Sequence, residues 1–74
     1  EVADTIVVFD IPEKQRKCRR YLRFELIARG FFPLQKSVWL GAGPLDADFL
    51  DFLACQKIER CVHIFSINRR GTLA

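Results

Sequence analysis

The sequence predicts an α+β domain: a ferredoxin-like sandwich in which a four-stranded antiparallel sheet carries two helices on one face. Two observations predict this fold class. Apolar, β-branched segments and segments with helical periodicity follow one another in the order β-α-β-β-α-β. The chain has 74 residues, of which 50% are hydrophobic. A chain of this length and composition can form one small hydrophobic core and no more. We therefore expect a single ferredoxin-like domain over residues 1–74.

The first part of the chain is predicted to form a strand and a basic helix. Residues 5–9 are a short β-branched and aromatic run, typical of a buried strand, and the strand ends at Asp10. Pro12 suits the first turn of a helix, where a missing N–H has no consequence. We expect this helix to run to Arg29 and to stop at Gly30, because a glycine often stands just beyond the last helical turn.

Two strands, a helix and a last strand complete the predicted fold. Strands are expected at 31–34 and 37–40, and Pro33 indicates that the first of them lies at an edge or carries a bulge. A second helix is expected over 45–56, and a last strand over 60–67. This last strand presents apolar side chains to both faces of the sheet, so the face without helices exposes a hydrophobic patch. Such patches usually mark an interface, and we expect a homodimer joined through the sheets.

The charge of the chain is unevenly placed. The net charge is +3, but residues 13–29 carry seven Lys and Arg against two Glu, a balance of +5. A basic block on a nearly neutral body indicates a polyanionic partner. On a helix, four arginines of this block fall within an arc of about 100°, an arrangement that suits contact with phosphates: Arg16, Arg19, Arg20 and Arg23. A solvated helix face is the alternative, and Arg69 and Arg70 near the C-terminus add either a second basic patch or a soluble tail.

The length and composition also argue against several classes of protein. A chain this short does not enclose a large cofactor, and no run reaches the roughly 18 apolar residues of a membrane span. The N-terminus lacks a basic segment followed by an apolar one, so we expect no signal peptide and a cytoplasmic location. Ser37 has no His or second acid at a useful position in the sequence, so nucleophilic catalysis is not indicated.

Three features in sequence order are similar to those of a known family. An acid ends the first strand within the segment VVFDIPE (residues 7–13), a basic helix follows, and LQKSVW (residues 34–39) comes shortly after Gly30. Together they resemble the small CRISPR-associated endonuclease family, usually called Cas two. They resemble even more closely the central domain of PaaX-type transcriptional repressors, which shares that fold. The resemblance covers residues 5 to about 67.

The resemblance implies a ferredoxin-like homodimer that binds DNA or RNA. In the CRISPR-associated family, the Asp at the end of the first strand lies near the dimer axis, where two copies can hold a divalent metal for phosphodiester hydrolysis. In this chain that position is Asp10. On this interpretation Asp10 is both the catalytic and the metal-binding residue, and Mg²⁺ or Mn²⁺ is the cofactor. The protein is then an endonuclease of antiviral defence that acts in CRISPR adaptation beside a partner protein.

Several alternatives stay open at this point. The main one is a non-catalytic dimerisation or nucleic-acid-binding module of a PaaX-like regulator, and a purely protein–protein module is another. A cap of the following helix is the alternative role for Asp10, because Glu13 stands three residues later at the spacing of a capping box. Trp39 and Phe65 are predicted to be core or interface residues, with stacking on nucleic-acid bases as the alternative.

Overall fold

The computed structural model describes residues 3–68, and its elements follow the expected β-α-β-β-α-β order. Short 3₁₀ turns precede the first helix and the last strand. The elements are β1 (Ala3–Phe9), a 3₁₀ turn (Glu13–Gln15), α1 (Arg16–Ala28), β2 (Phe32–Gln35), β3 (Val38–Ala42), α2 (Ala47–Cys55), a second 3₁₀ turn (Glu59–Cys61) and β4 (Val62–Asn68). Arg69 and Arg70 lie outside the described residues, so their predicted role stays a prediction.

The four strands form one antiparallel sheet in the order β2-β3-β1-β4. Residues directly opposite each other on antiparallel strands share a face of the sheet. Val7 is paired with Trp39 on one face, whereas Ile6 is paired with Leu40 and Phe65 on the other. The alternation along β1 therefore separates a covered face from an open face.

Pro33 lies in β2, which is an edge strand, as its sequence indicated. The pairing of β2 with β3 also shifts register between Pro33 and Gln35. Proline cannot donate to a strand ladder, so it is tolerated where one side of the strand is unpaired or the ladder is interrupted. Both predicted alternatives, the edge position and the irregularity, are present together.

Both helices pack on the covered face. Helix α1 buries Leu22 and Leu26, and α2 buries Phe49 and Leu53. These side chains share one core with four residues of the sheet, namely Val7, Phe9, Trp39 and Val62. Removal of each such side chain from water contributes about 1.5–3 kcal/mol to folding. Trp39 is 4% exposed, so its prediction as a core residue is confirmed and its stacking on bases is wrong.

The end of α1 is set by Gly30, as predicted. Gly30 has a φ of +84° and donates its N–H to the Ile27 carbonyl at 3.0 Å, while Phe31 donates to the Leu26 carbonyl at 2.9 Å. This pair of bonds is the Schellman motif, which needs a left-handed residue that glycine adopts without strain. The turn carries the Phe31 ring onto β3, where a Cβ added to Gly41 would lie 2.5 Å from it.

The start of α1 differs from the prediction. The α-helix begins at Arg16 rather than at Pro12, because the intervening residues form a 3₁₀ turn in which Gln15 donates its N–H to the Pro12 carbonyl at 2.9 Å. Elsewhere the differences are small: α2 begins at Ala47 and β4 at Val62, each two residues later than expected.

Candidate nucleic-acid interface and polar cleft

Four cations of α1 form an exposed surface, called here the basic face: Arg16, Lys17, Arg20 and Arg23. Arg16 lies 3.6 Å from the Glu13 carboxylate, but both side chains are more than 70% exposed, so this pair holds Arg16 weakly. Within residues 3–68 the other three cations form no ion pair or hydrogen bond. Three of the four arginines predicted to contact nucleic acid therefore present their charge to solvent.

Arg19, the fourth predicted arginine, has a different environment. Its side chain is 28% exposed because it lies beside the buried stripe of α1. One guanidinium nitrogen donates to Glu13 Oε1 at 3.1 Å and the other to the Ile11 carbonyl at 3.4 Å. Arg19 thus joins the helix to the segment that follows β1, and part of its donor capacity is used inside the domain.

Apolar side chains interrupt the outer surface of α1. Tyr21, Phe24 and Ile27 are 47%, 60% and 57% exposed. Residues four apart on a helix are neighbours, so Phe24 adjoins Arg20 and Ile27 adjoins Arg23. The sequence did not predict a role for this mixture. Its one indication was that Phe24 and Ile27 fall among the arginines when residues are placed at 100° intervals around the helix.

A polar cleft of about 480 Å³ opens beside Arg19 and Arg23. It lies where the end of β1, the start of α1 and the turn between β2 and β3 meet. Two backbone bonds hold this corner: Phe9 donates its N–H to the Ser37 carbonyl at 3.0 Å, and Asp10 donates to the Cys61 carbonyl at 2.8 Å. The lining consists of Phe9, Asp10, Ile11, Glu13, Arg19, Arg23, Lys36 and Ser37.

Asp10 lies exposed at this cleft, and its prediction as a helix cap is wrong. Pro12 precedes the 3₁₀ turn and Gln15 precedes α1, and neither end has a side-chain cap. Glu13 does not complete a capping box, because its carboxylate is directed to Arg16 and Arg19. Among the described residues the Asp10 carboxylate has no hydrogen bond or ion pair.

The residues of one chain do not fit the divalent metal expected from the resemblance. No cluster of three His, Cys, Asp or Glu side chains suited to a metal ion occurs in the part of the chain that the structure describes. The cleft also places three cations, Arg19, Arg23 and Lys36, around the two carboxylates of Asp10 and Glu13. Mg²⁺ needs several hard oxygen ligands, and nearby positive charge opposes it. The role of Asp10 as a metal ligand stays a prediction that requires a second copy.

At the opposite end of α1, Arg29 forms ion pairs with two carboxylates. Arg29 donates to Asp46 at 2.7 Å and to Glu25 at 2.6 Å, and its guanidinium lies 5.2 Å from the centre of the Phe49 ring. The hydrogen bond from Arg29 holds the pKa of the Asp46 carboxyl below its usual range, and the same bond raises the pKa of Arg29. This group of contacts joins the end of α1 to the start of α2.

The open face of the sheet carries an apolar patch, and the same face also carries His63, which is paired with Val8, and Asp4, which is paired with Ile67. We define this patch by six side chains that the register places together: Ile6, Val8, Phe32, Val38, Leu40 and Phe65. Phe32 and Phe65 are 51% and 54% exposed, and the other four are partly buried. The exposed hydrophobic patch predicted from the last strand is therefore present. Neither helix of the described part is both long and apolar enough to span a membrane.

Comparison of the sequence with known proteins connects this fold to a family. Among curated proteins, no significant match to the chain was found. The model of the PaaX protein central Cas2-like domain matches residues 5–73, which is nearly the whole chain. The chain therefore belongs to the family of PaaX central Cas2-like domains.

Proposed function

We propose that the chain is a non-catalytic module of a PaaX-type regulator, which pairs with a second copy and binds nucleic acid through its phosphates. The observation that carries this proposal is the basic face, whose cations are exposed and unpaired or weakly paired. Guanidinium groups contact phosphate oxygens in a bidentate geometry, and a guanidinium that is unpaired within the fold has all of its donors available for this contact. Family membership supports a regulatory rather than a catalytic role.

Pairing of two copies is supported by the open face. The side chains of its patch are apolar, and Phe32 and Phe65 expose more than half of their surface. A two-fold interface brings the same patch of both subunits together, which an uncharged patch of this kind tolerates. Because α1 covers the other side of the sheet, this pairing leaves both basic faces on the outside of the dimer. The number of cations available to one nucleic acid is then doubled.

The salt dependence of DNA binding tests the proposal. Fluorescence anisotropy with a short duplex should give an affinity that falls steeply with salt and depends little on sequence. The double variant Arg16→Ala, Arg20→Ala should reduce the slope by about 0.9 for each phosphate that is no longer neutralised. Arg60→Ala is the matched control, because Arg60 is an exposed arginine of the second 3₁₀ turn and lies off the basic face. Absence of binding at low salt, or an unchanged slope in the double variant, contradicts the proposal.

The competing prediction of a metal-dependent endonuclease is tested with the same material. The proposal expects no strand cleavage after incubation with Mg²⁺ or Mn²⁺. Cleavage by the wild type that disappears in Asp10→Asn would support the nuclease and a role in CRISPR adaptation instead. The exposure of Asp10 and its lack of a partner in residues 3–68 make that comparison possible without disturbing the fold.

A further inference from the structure

The polar cleft differs from the basic face because its charges come from separate elements. Arg19 and Arg23 belong to α1, whereas Lys36 comes from the turn between β2 and β3. Three cations and two carboxylates line the cavity, a net charge of +1. One of these carboxylates, Glu13, is already directed to Arg19 at 3.1 Å and to Arg16 at 3.6 Å. A concave site lined in this way concentrates positive potential.

The cations of the cleft have N–H donors that form no hydrogen bond within the described residues. Arg19 is oriented by its bonds to Glu13 and to the Ile11 carbonyl, and these bonds leave further guanidinium N–H groups unused. Arg23 and Lys36 form no ion pair within the described range. Ser37 adds a hydroxyl to the same lining. The cavity is therefore lined by one oriented guanidinium, two unpaired cations and one neutral donor. This set of groups is suited to bind a small, highly charged anion.

We propose that the polar cleft binds a phosphate monoester, with Arg19, Arg23 and Lys36 contacting the phosphate oxygens and Ser37 donating a neutral hydrogen bond. A phosphate monoester carries nearly two negative charges at neutral pH and offers three strong acceptor oxygens. The volume of about 480 Å³ lies in the ordinary range of small-molecule sites, so an organic group on the phosphate can be accommodated. The same chemistry is found in a free phosphate ester and in the terminal phosphate of a nucleic-acid strand.

The proposal predicts that removal of the Asp10 charge strengthens phosphate binding. Its carboxylate lines the cleft without a partner among the described residues, so it repels a bound phosphate. Asp10→Asn keeps the size of the side chain and removes the repulsion. Phosphate binding should therefore become tighter in this variant, whereas a role of Asp10 as a metal ligand predicts the loss of divalent-metal binding.

The experiment is titration calorimetry of the 74-residue chain with inorganic phosphate at constant ionic strength. Lys36→Gln should weaken binding about tenfold or more, because a hydrogen bond to a charged partner is removed. Asp10→Asn should strengthen it severalfold. Lys14→Gln is the matched control, since Lys14 is exposed in the neighbouring 3₁₀ turn and does not line the cleft. Circular dichroism should show that all three variants remain folded.

Each of three calorimetric results would overturn the proposal: no binding of phosphate by the wild type at millimolar concentration, an equal loss in Lys14→Gln and Lys36→Gln, or weaker binding in Asp10→Asn. The source of the phosphate is then identified with two further probes. A 5′-phosphorylated oligonucleotide that binds more tightly than its 5′-hydroxyl form, in a manner dependent on Lys36, indicates a strand end. A nucleoside monophosphate that binds more tightly than inorganic phosphate, again dependent on Lys36, indicates a free ester. If neither probe depends on Lys36, the proposal fails.

The proposal does not depend on nucleic-acid binding by the basic face. Arg23 belongs to both sites, but Lys36 lies outside that face, and Arg16 and Arg20 do not line the cleft. A reduced salt slope in the Arg16, Arg20 variant and weaker phosphate binding in Lys36→Gln are therefore separate results. Either can fail while the other holds.

Discussion

The two faces of the sheet are built from similar residues but differ in their exposure to solvent. On the covered face Val7 and Phe9 are at most 2% exposed, because α1 and α2 lie over them. On the open face Phe65, from the neighbouring strand β4, is 54% exposed. Amino-acid type alone does not separate the two, since both faces are rich in large apolar side chains. The difference shows that one face stabilises the fold of the single chain, while the other remains available for an interface.

The largest expected effect is a truncation beneath the covered face. Leu22→Ala should lower the free energy of unfolding by about 2–5 kcal/mol, because the side chain is fully buried and leaves a cavity. Leu34→Ala is the matched control: this leucine lies on the edge strand β2 and is 54% exposed. Chemical denaturation should therefore show a small change for Leu34→Ala. Equal losses of stability in the two variants would contradict the distinction between core and surface.

A smaller loss is expected when one methyl group is added to the covered face. In Gly41→Ala the new Cβ would lie 2.5 Å from the Phe31 ring, so the ring or the strand must shift. Overpacking of this kind lowers the free energy of unfolding by about 1–3 kcal/mol. Adding Phe31→Leu should restore part of the stability relative to Gly41→Ala, because the ring that causes the clash is removed. If the double variant is no more stable than Gly41→Ala, the clash with the Phe31 ring does not cause the loss.

A change on the open face should affect association more than folding. Phe65→Ser should weaken the proposed dimer about tenfold or more, as expected for an aromatic residue at the centre of an interface. Sedimentation at micromolar concentration measures this as a shift from twice 8.6 kDa toward the monomer. Leu50→Ser is the control, because Leu50 is 49% exposed on α2, away from the open face. A wild type that sediments as a monomer would contradict the proposed dimer and its interface.

The smallest effect concerns the charged contact between the two covering helices. The hydrogen bond from Arg29 lowers the pKa of Asp46 from its ordinary value of 3.8. A carboxyl whose pKa is lowered on folding adds stability above its unfolded pKa, and that stability is lost as the pH falls through the folded pKa. The melting temperature of the wild type should therefore exceed that of Asp46→Asn at pH 6, and the difference should shrink below about pH 4. A constant difference over this range would mean that the charge of Asp46 contributes nothing.

Local features of the sequence were sufficient for the order of the elements. Gly30 ended α1 where expected, because the left-handed conformation it supplies is needed within a few residues of the helix. Pro33 marked the edge strand for an equally local reason, its missing N–H. The prediction that Asp10 caps the helix was wrong. The spacing from Asp10 to Glu13 fits a capping box, but it does not indicate the 3₁₀ turn after which α1 begins at Arg16.

The site depended on contacts that are distant in sequence. Four arginines share one arc of α1, yet burial beside Leu22 and the position of Glu13 withdraw Arg19 from the exposed set. No spacing rule brings Lys36 to the cleft that contains Asp10, because the two residues meet only when the β2–β3 turn packs beside the end of β1.

The sequence by itself determined the fold class, the basic helix and the surplus of apolar side chains on the sheet, because periodicity and composition are properties of short segments. Only the tertiary structure decided which cations are free and which are held. Arg29, directly after α1, is paired with Asp46, seventeen residues further along the chain, while Arg23, within α1, has no partner in residues 3–68. The free energy of an ion pair depends on distance and burial, and both are set only when separate elements come together.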